Sequence, residues 1–179
     1  GIFAHRAAPV QINYLGYPVT MGADFMDYII ADPVLIPSGY EHYYTECIMR
    51  LPGSFMPTDN SRLMSTRPMT RSEMGLPKTG FVFCCFNNNY KISTNEFDIW
   101  MRLLTKVENS VLWLRQSNQI SNINMKNEAQ KRKVDPSRIV FADKVPMDEH
   151  LARHRLADLF VDTFVFNAHT TAAEALWAG

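Results

Sequence analysis

Cysteine is scarce in this 179-residue sequence, which holds only Cys47, Cys84 and Cys85. The number is odd and two of the three are adjacent in an apolar run. A disulfide framework is therefore not expected, and a reducing cytoplasm is the better setting. No CxxC pair occurs, and no Cys/His group has the spacing of a zinc site. Neither sign of charge is in surplus: 18 Lys and Arg stand against 18 Asp and Glu. A general nucleic-acid binder would carry a basic excess, so that class is set aside. No apolar run approaches the roughly 18 residues of a membrane span. The opening GIFAHRAAP lacks the basic region and apolar stretch of a signal peptide. No GxGxxG follows any expected strand, which leaves an NAD-dependent dehydrogenase without support. Internal repeats and low-complexity tracts are also missing.

What is present is apolar substance, 46% of the residues, enough for a packed core in one domain or in parts of two. Val10 to Leu15 (VQINYL) reads as a strand ended by the turn Gly16-Tyr17-Pro18. Asp27 to Ala31 is a second, stopped by Asp32-Pro33, and Cys47 to Leu51 a third, stopped by Pro52-Gly53. From Pro57 to Gly80 the residues turn to Pro, Ser, Thr, Arg and Gly, as in a linker. Within that stretch Thr70 and Glu73 have capping-box spacing and Gly75 can close one helical turn.

After Gly80 the pattern is regular. Phe81 to Phe86 is an apolar run of strand length. Ser93 and Glu96 form a capping box, and Phe97, Trp100, Met101 and Leu104 line one face of the helix that follows. Strands are expected at Val111–Leu114, Arg138–Ala142 and Leu159–Val161, and helices at Asn118–Lys133, Pro146–Leu156 and Thr171–Ala178. Strands apolar on both faces, alternating with helices, imply a doubly wound parallel α/β sheet of Rossmann-like type. Ligands of such sheets lie beyond the carboxyl ends of the strands.

Four places deserve the name of candidate site on that ground. In Asn87-Asn88-Asn89-Tyr90-Lys91, the lysine precedes a capped helix and can meet a phosphate, or can be a solvated loop residue. His169-Thr170-Thr171 offers hydroxyls and backbone donors at a helix start, where an anion gains roughly 0.3–1 kcal/mol from the helix dipole. The alternative there is a plain cap, Thr171 paired with Glu174. His150 can stack on a base or can be a packed histidine, with His154 one turn on. Leu15-Gly16-Tyr17-Pro18 either lets a ligand approach the backbone or is only a tight turn.

The stretches APVQINYLGYP, DYIIAD, FCCFNNNYKI, NSVLWL, DPSRIVFA, EHLARHRLADLFVDT and NAHTTAAEALWAG occur in the order of one family's catalytic region. The chain resembles the bacterial O-linked N-acetylglucosamine transferases and SPINDLY-like glycosyltransferases almost from end to end. The resemblance implies an α/β fold of GT-B type. Residues 1–60 would be the tail of a first Rossmann-like domain, 61–80 a linker, and 81–179 an incomplete second, nucleotide-sugar-binding domain. It implies an inverting, metal-independent transfer of N-acetylglucosamine from a UDP-sugar to Ser or Thr hydroxyls of a protein, without a cofactor. GDP-fucose or UDP-glucose donors occur among related members. A nucleotide- or protein-binding domain that kept the fold without the chemistry is the rival from another class.

By the same resemblance Lys91 is the diphosphate lysine and Tyr90 its neighbour beside the sugar. Asn88 stands where the N-acetylglucosamine enzymes often have Gln. His150 packs on the uracil, and His169, Thr170 and Thr171 bind the diphosphate. Leu15, Gly16 and Pro18 line the sugar pocket. Met147 departs from a lysine near the ribose, and Glu174 from an aspartate that holds the ribose hydroxyls. Tetratricopeptide repeats and a first catalytic segment would precede such a chain, and the close of the second domain would follow it. No nucleic acid and no membrane is expected as partner.

Overall fold

A computed structural model describes residues 1–179. It separates into two compact units, Gly1–Thr58 and Asp59–Gly179.

The first unit is built on three short parallel strands, β1 (Ile12–Asn13), β2 (Tyr28–Ala31) and β3 (Cys47–Arg50), in that order. Each lies inside the run expected from sequence. One face of the sheet carries Ile29 and Ala31, which pack with Ile36, Leu35, Tyr44 and Ile48. Asp32, the expected stop of β2, is itself buried. One of its oxygens accepts the N–H groups of Val34 and Leu35, and the other that of Phe55. Burial alone would raise its pKa, yet these three donors hold it below the usual value.

The second unit alternates strictly: β4 (Val82–Cys85), α1 (Thr94–Lys106), β5 (Val111–Arg115), α2 (Gln119–Lys131), β6 (Ile139–Ala142), α3 (Met147–Arg153), β7 (Leu159–Phe160) and α4 (Thr170–Ala178). The four strands are parallel in the order β6-β5-β4-β7. Side chains alternate across them. Phe83, Cys85, Leu112 and Leu114 face Phe97, Trp100, Met101 and Leu104 of α1, with Ala129 of α2 in the same layer. Val82, Cys84, Phe86, Val111 and Trp113 form the other face, covered by Leu76 and by Leu156 and Ala157 beyond α3. Gly80 is demanded by a close approach: at φ +109 a Cβ there would stand 1.9 Å from the Asn109 carbonyl oxygen.

The capping box of α1 is present as expected, with Ser93 and Glu96 serving each other's backbone. At α4 the alternative of a plain cap fails. The N-cap is His169 rather than Thr171, and the Glu174 side chain does not reach back to close a box. Glu174 turns to Arg62 and His150 instead. The stretch 61–80, whose composition suggests a linker, is packed on this unit. Leu76 is buried, and Arg71 donates to the Leu156 and Gly80 carbonyls and to Asp158.

Candidate functional site

The chain leaves β4 outward through β5 to β6 and then returns to the opposite side of β4 for β7. That reversal is the switch point of the sheet, the place where ligands of such sheets lie in a crevice beyond the strand ends. Two loops enter it. The first follows β4 and ends in the tight turn Asn89–Lys91, held by the Lys91 N–H on the Asn88 carbonyl. The second follows β7 and leads to the start of α4.

Lys91 is half-buried. Its ammonium donates to the Asn167 carbonyl at 3.0 Å and lies 4.0 Å from the centre of the Phe166 ring. Its charge meets a carbonyl and a ring face rather than a carboxylate, so it stays available to an anion. His169 packs edge-on to Phe166, and its pKa is lowered by burial first and by the Lys91 charge second. Thr170 is exposed on the first turn of α4, and Thr171 is half-buried. The first helical N–H to bond backward is that of Ala173, to His169. The N–H groups of Thr170, Thr171 and Ala172 therefore lie outside the ladder, at the positive end of the helix. Asn88 and Tyr90 are exposed beside them, and the Asn88 side chain accepts from Arg115 at the end of β5.

Beneath the two loops runs a polar network. Asn87 is 1% exposed and donates to Asp162 at 3.0 Å and to Thr163 at 2.9 Å, while its carbonyl oxygen accepts from Thr171. Asp162 also takes the N–H groups of Thr163 and Ala168. Glu96 reaches over from α1 to accept those of Phe164 and Val165.

On the side of α3 a second cluster forms. Arginine can only donate, so the Arg153 guanidinium, 2.6 Å from His150 Nδ1, makes that nitrogen the acceptor. Nε2 then carries the proton and donates to Glu174 at 3.3 Å. Arg62 holds the other oxygen of Glu174 at 3.4 Å. Burial alone would raise the Glu174 pKa, but the His150 hydrogen bond and the neighbouring positive charges outweigh it and leave it lowered. Arg153 lies over Phe86 and Trp113 and donates to the Asp143 carbonyl; burial pushes its pKa down to about 10. His154 packs on Phe86 and on His150.

Leu15, Gly16 and Pro18 belong to the first unit, at the carboxyl end of β1. Leu15, not Gly16, takes the left-handed conformation, at φ 68. That costs a residue with a Cβ about 1–2 kcal/mol, a strain of the kind found where a turn is shaped for a ligand. Gly16 is exposed with nothing within 4 Å of a Cβ built on it, and Pro18 is buried.

Within the second unit, Lys91, His169, Thr170 and Thr171 gather at the switch point, and His150 and Glu174 pair with each other. Asn87, Asp162, Arg153 and Arg62 are the residues that sequence reasoning passed over. Asn87 stood inside a quoted loop, but no spacing separates it from its asparagine neighbours. Arg62 sat in a stretch read as linker, and its partner is 112 positions away in sequence.

The switch point of this parallel α/β unit brings together a cation, the N–H groups of a helix start and hydroxyls, the kind of donor set that suits an anion. Comparison with known proteins names the group to which it belongs. The model for glycosyl transferase family 41 matches residues 1–69 and 64–179, and the chain is a member of that family. It is 36% identical over 183 residues to a probable UDP-N-acetylglucosamine–peptide N-acetylglucosaminyltransferase SEC of Arabidopsis thaliana, covering 99% of this chain and 19% of that one. It is 30% identical over 190 residues to the SPINDLY relative of Petunia hybrida, covering 100% and 19%. A mutant O-GlcNAc transferase of Thermobaculum terrenum superposes with a TM-score of 0.81 at 27% identity, over 98% of this chain and 33% of that one. The chain thus spans about a fifth of the length of these two curated relatives.

Proposed function

We propose that the chain is the donor-handling part of a protein O-glycosyltransferase that moves N-acetylglucosamine from UDP-N-acetylglucosamine to Ser or Thr hydroxyls. The observation that carries this is the reach of Lys91, from the loop after β4, to the Asn167 carbonyl in the loop that leads into α4 at the β4/β7 switch point. The names of the relatives support the donor and the peptide acceptor. In this reading Lys91, the Thr170 hydroxyl and the free N–H groups of α4 take the diphosphate. His150 lies against the base, and Glu174 accepts the ribose hydroxyls on lone pairs that Arg62 and His150 leave open. Asn88 and Tyr90 border the sugar.

The acceptor hydroxyl attacks the anomeric carbon from the face opposite the diphosphate, so the configuration inverts. Negative charge grows on the departing diphosphate. Fixed donors aimed at it lower the barrier, and no metal is needed for that role. The protein would work in the cytoplasm, with neither nucleic acid nor membrane as partner.

Titration calorimetry with UDP and GDP tests the donor. Tighter binding of UDP is expected. Tighter binding of GDP would move the assignment to a fucosyl donor, and binding of neither would overturn the site.

A further inference from the structure

The network under the crevice fixes the direction of each of its hydrogen bonds. Thr163 is fully buried, and its hydroxyl donates its one proton to the Phe166 carbonyl at 2.7 Å. Its oxygen can then only accept from Asn87, and the Asp162 carboxylate likewise only accepts. The NH2 group of Asn87 must therefore face these two, which turns its oxygen toward Thr171. With no donor on that side of the amide, the Thr171 hydroxyl is the one that donates. Both N–H donors of Asn87 and its oxygen are engaged, the donors against the loop after β7 that Asp162 ties down through Thr163 and Ala168.

We infer that Asn87 is a positioning residue for the donor diphosphate, acting through Thr171. It anchors the first turn of α4 to the end of β4 and so sets where the N–H groups of Thr170, Thr171 and Ala172 point. This rests on the crevice being the diphosphate site. A consequence follows for Thr171. Its proton is spent inside the protein, and what it turns outward is lone pairs, which repel a phosphate oxygen. The anion is held by the Thr170 hydroxyl, the backbone donors and Lys91, with Thr171 as the latch beneath them.

The test is binding of UDP and of uridine to the 179-residue chain, by calorimetry for UDP and ligand-observed NMR for uridine. Thr171→Val keeps the shape and removes the donor; it should weaken UDP about tenfold, the size of one well-placed hydrogen bond, and leave uridine unchanged. Thr171→Ser should recover most of that loss. Asn87→Ala should weaken UDP at least as much, and the double variant Asn87→Ala with Thr171→Val should be no weaker than Asn87→Ala alone. Additive losses would mean that Thr171 touches the diphosphate directly, and equal loss of uridine would mean general damage; either sinks the inference, as does an unaffected Thr171→Val. Should Asn87→Ala fail to fold, Asn87→Ser takes its place in the cycle, because the Thr171 pair alone reads the same for a latch and for a direct contact. A wild-type chain that binds no UDP overturns the site itself, whereas normal wild-type binding with indifferent variants overturns only the latch.

Discussion

Lys91 carries the most weight at the level of single residues. Its ammonium is anchored by the Asn167 carbonyl and the Phe166 face, and neither neutralises it. In the proposed reaction the departing diphosphate gains charge in the transition state, so the lysine would help that state more than the ground state. Lys91→Ala in the whole enzyme should lower turnover roughly 10²–10³-fold and weaken donor binding much less. A folded variant with near wild-type kcat would make Lys91 a solvated loop residue. His154 gives a second prediction. Its Nδ1 meets the His150 carbonyl at 2.8 Å, its Nε2 is buried without a partner, and burial pushes its pKa from 6.5 down to about 4. The unfolded chain takes up the proton near the higher value and the folded chain only near the lower one. Stability should thus fall as pH drops between them, by about 3 kcal/mol in all. Melts followed by tryptophan fluorescence at pH 7 and pH 5 read this, and His154→Phe should remove most of the slope.

At the level of elements, α1 does more than cover the sheet. Glu96 closes its capping box with one oxygen and holds the backbone of Phe164 and Val165 with the other. Burial alone would raise its pKa; the N–H groups of Val165, Phe164 and Ser93 keep it below normal. Ser93→Ala removes only the cap and should cost about 1 kcal/mol. Glu96→Ala also strands two backbone donors of the loop before α4 and should cost about 1–3 kcal/mol more. Urea titration measures both, and equal losses would show that the link from α1 to that loop has no energetic weight.

At the level of the molecule, the two units have separate cores. Ile29, Ala31 and Ile36 make up the buried apolar centre of the first, while both faces of the β4–β7 sheet are packed in the second. All three tryptophans, Trp100, Trp113 and Trp177, lie in the second unit, so their fluorescence reports it alone. Residues 59–179 expressed by themselves should show the same emission and the same melting midpoint as the whole chain. Residues 1–58, with so small a core, should not fold alone. A lower midpoint for 59–179 would mean that the second unit draws stability from the first.

Local chemistry and periodicity were enough to specify much of this protein. The apolar runs at 81–86 and 111–114 read as buried strands, the Phe97-Trp100-Met101-Leu104 stripe as a helix face, and Ser93 with Glu96 as a cap, and all are so in the structure. The strict alternation of strand and helix implied a parallel sheet and directed attention to the strand ends, where Lys91 and His169 to Thr171 stood as candidates. Tertiary structure alone decided the rest, because the forces at work there act between residues far apart in the chain. The cap of α4 moved to His169 because Glu174 found Arg62 and His150, contacts no local pattern carries. Residues 61–80 looked like linker by composition, and burial of Leu76 with the reach of Arg71 bound them to the second unit. Asn87, one of three adjacent asparagines, was distinguished from its neighbours only by the side chains of Asp162, Thr163 and Thr171, brought beside it by the pairing of β7 with β4.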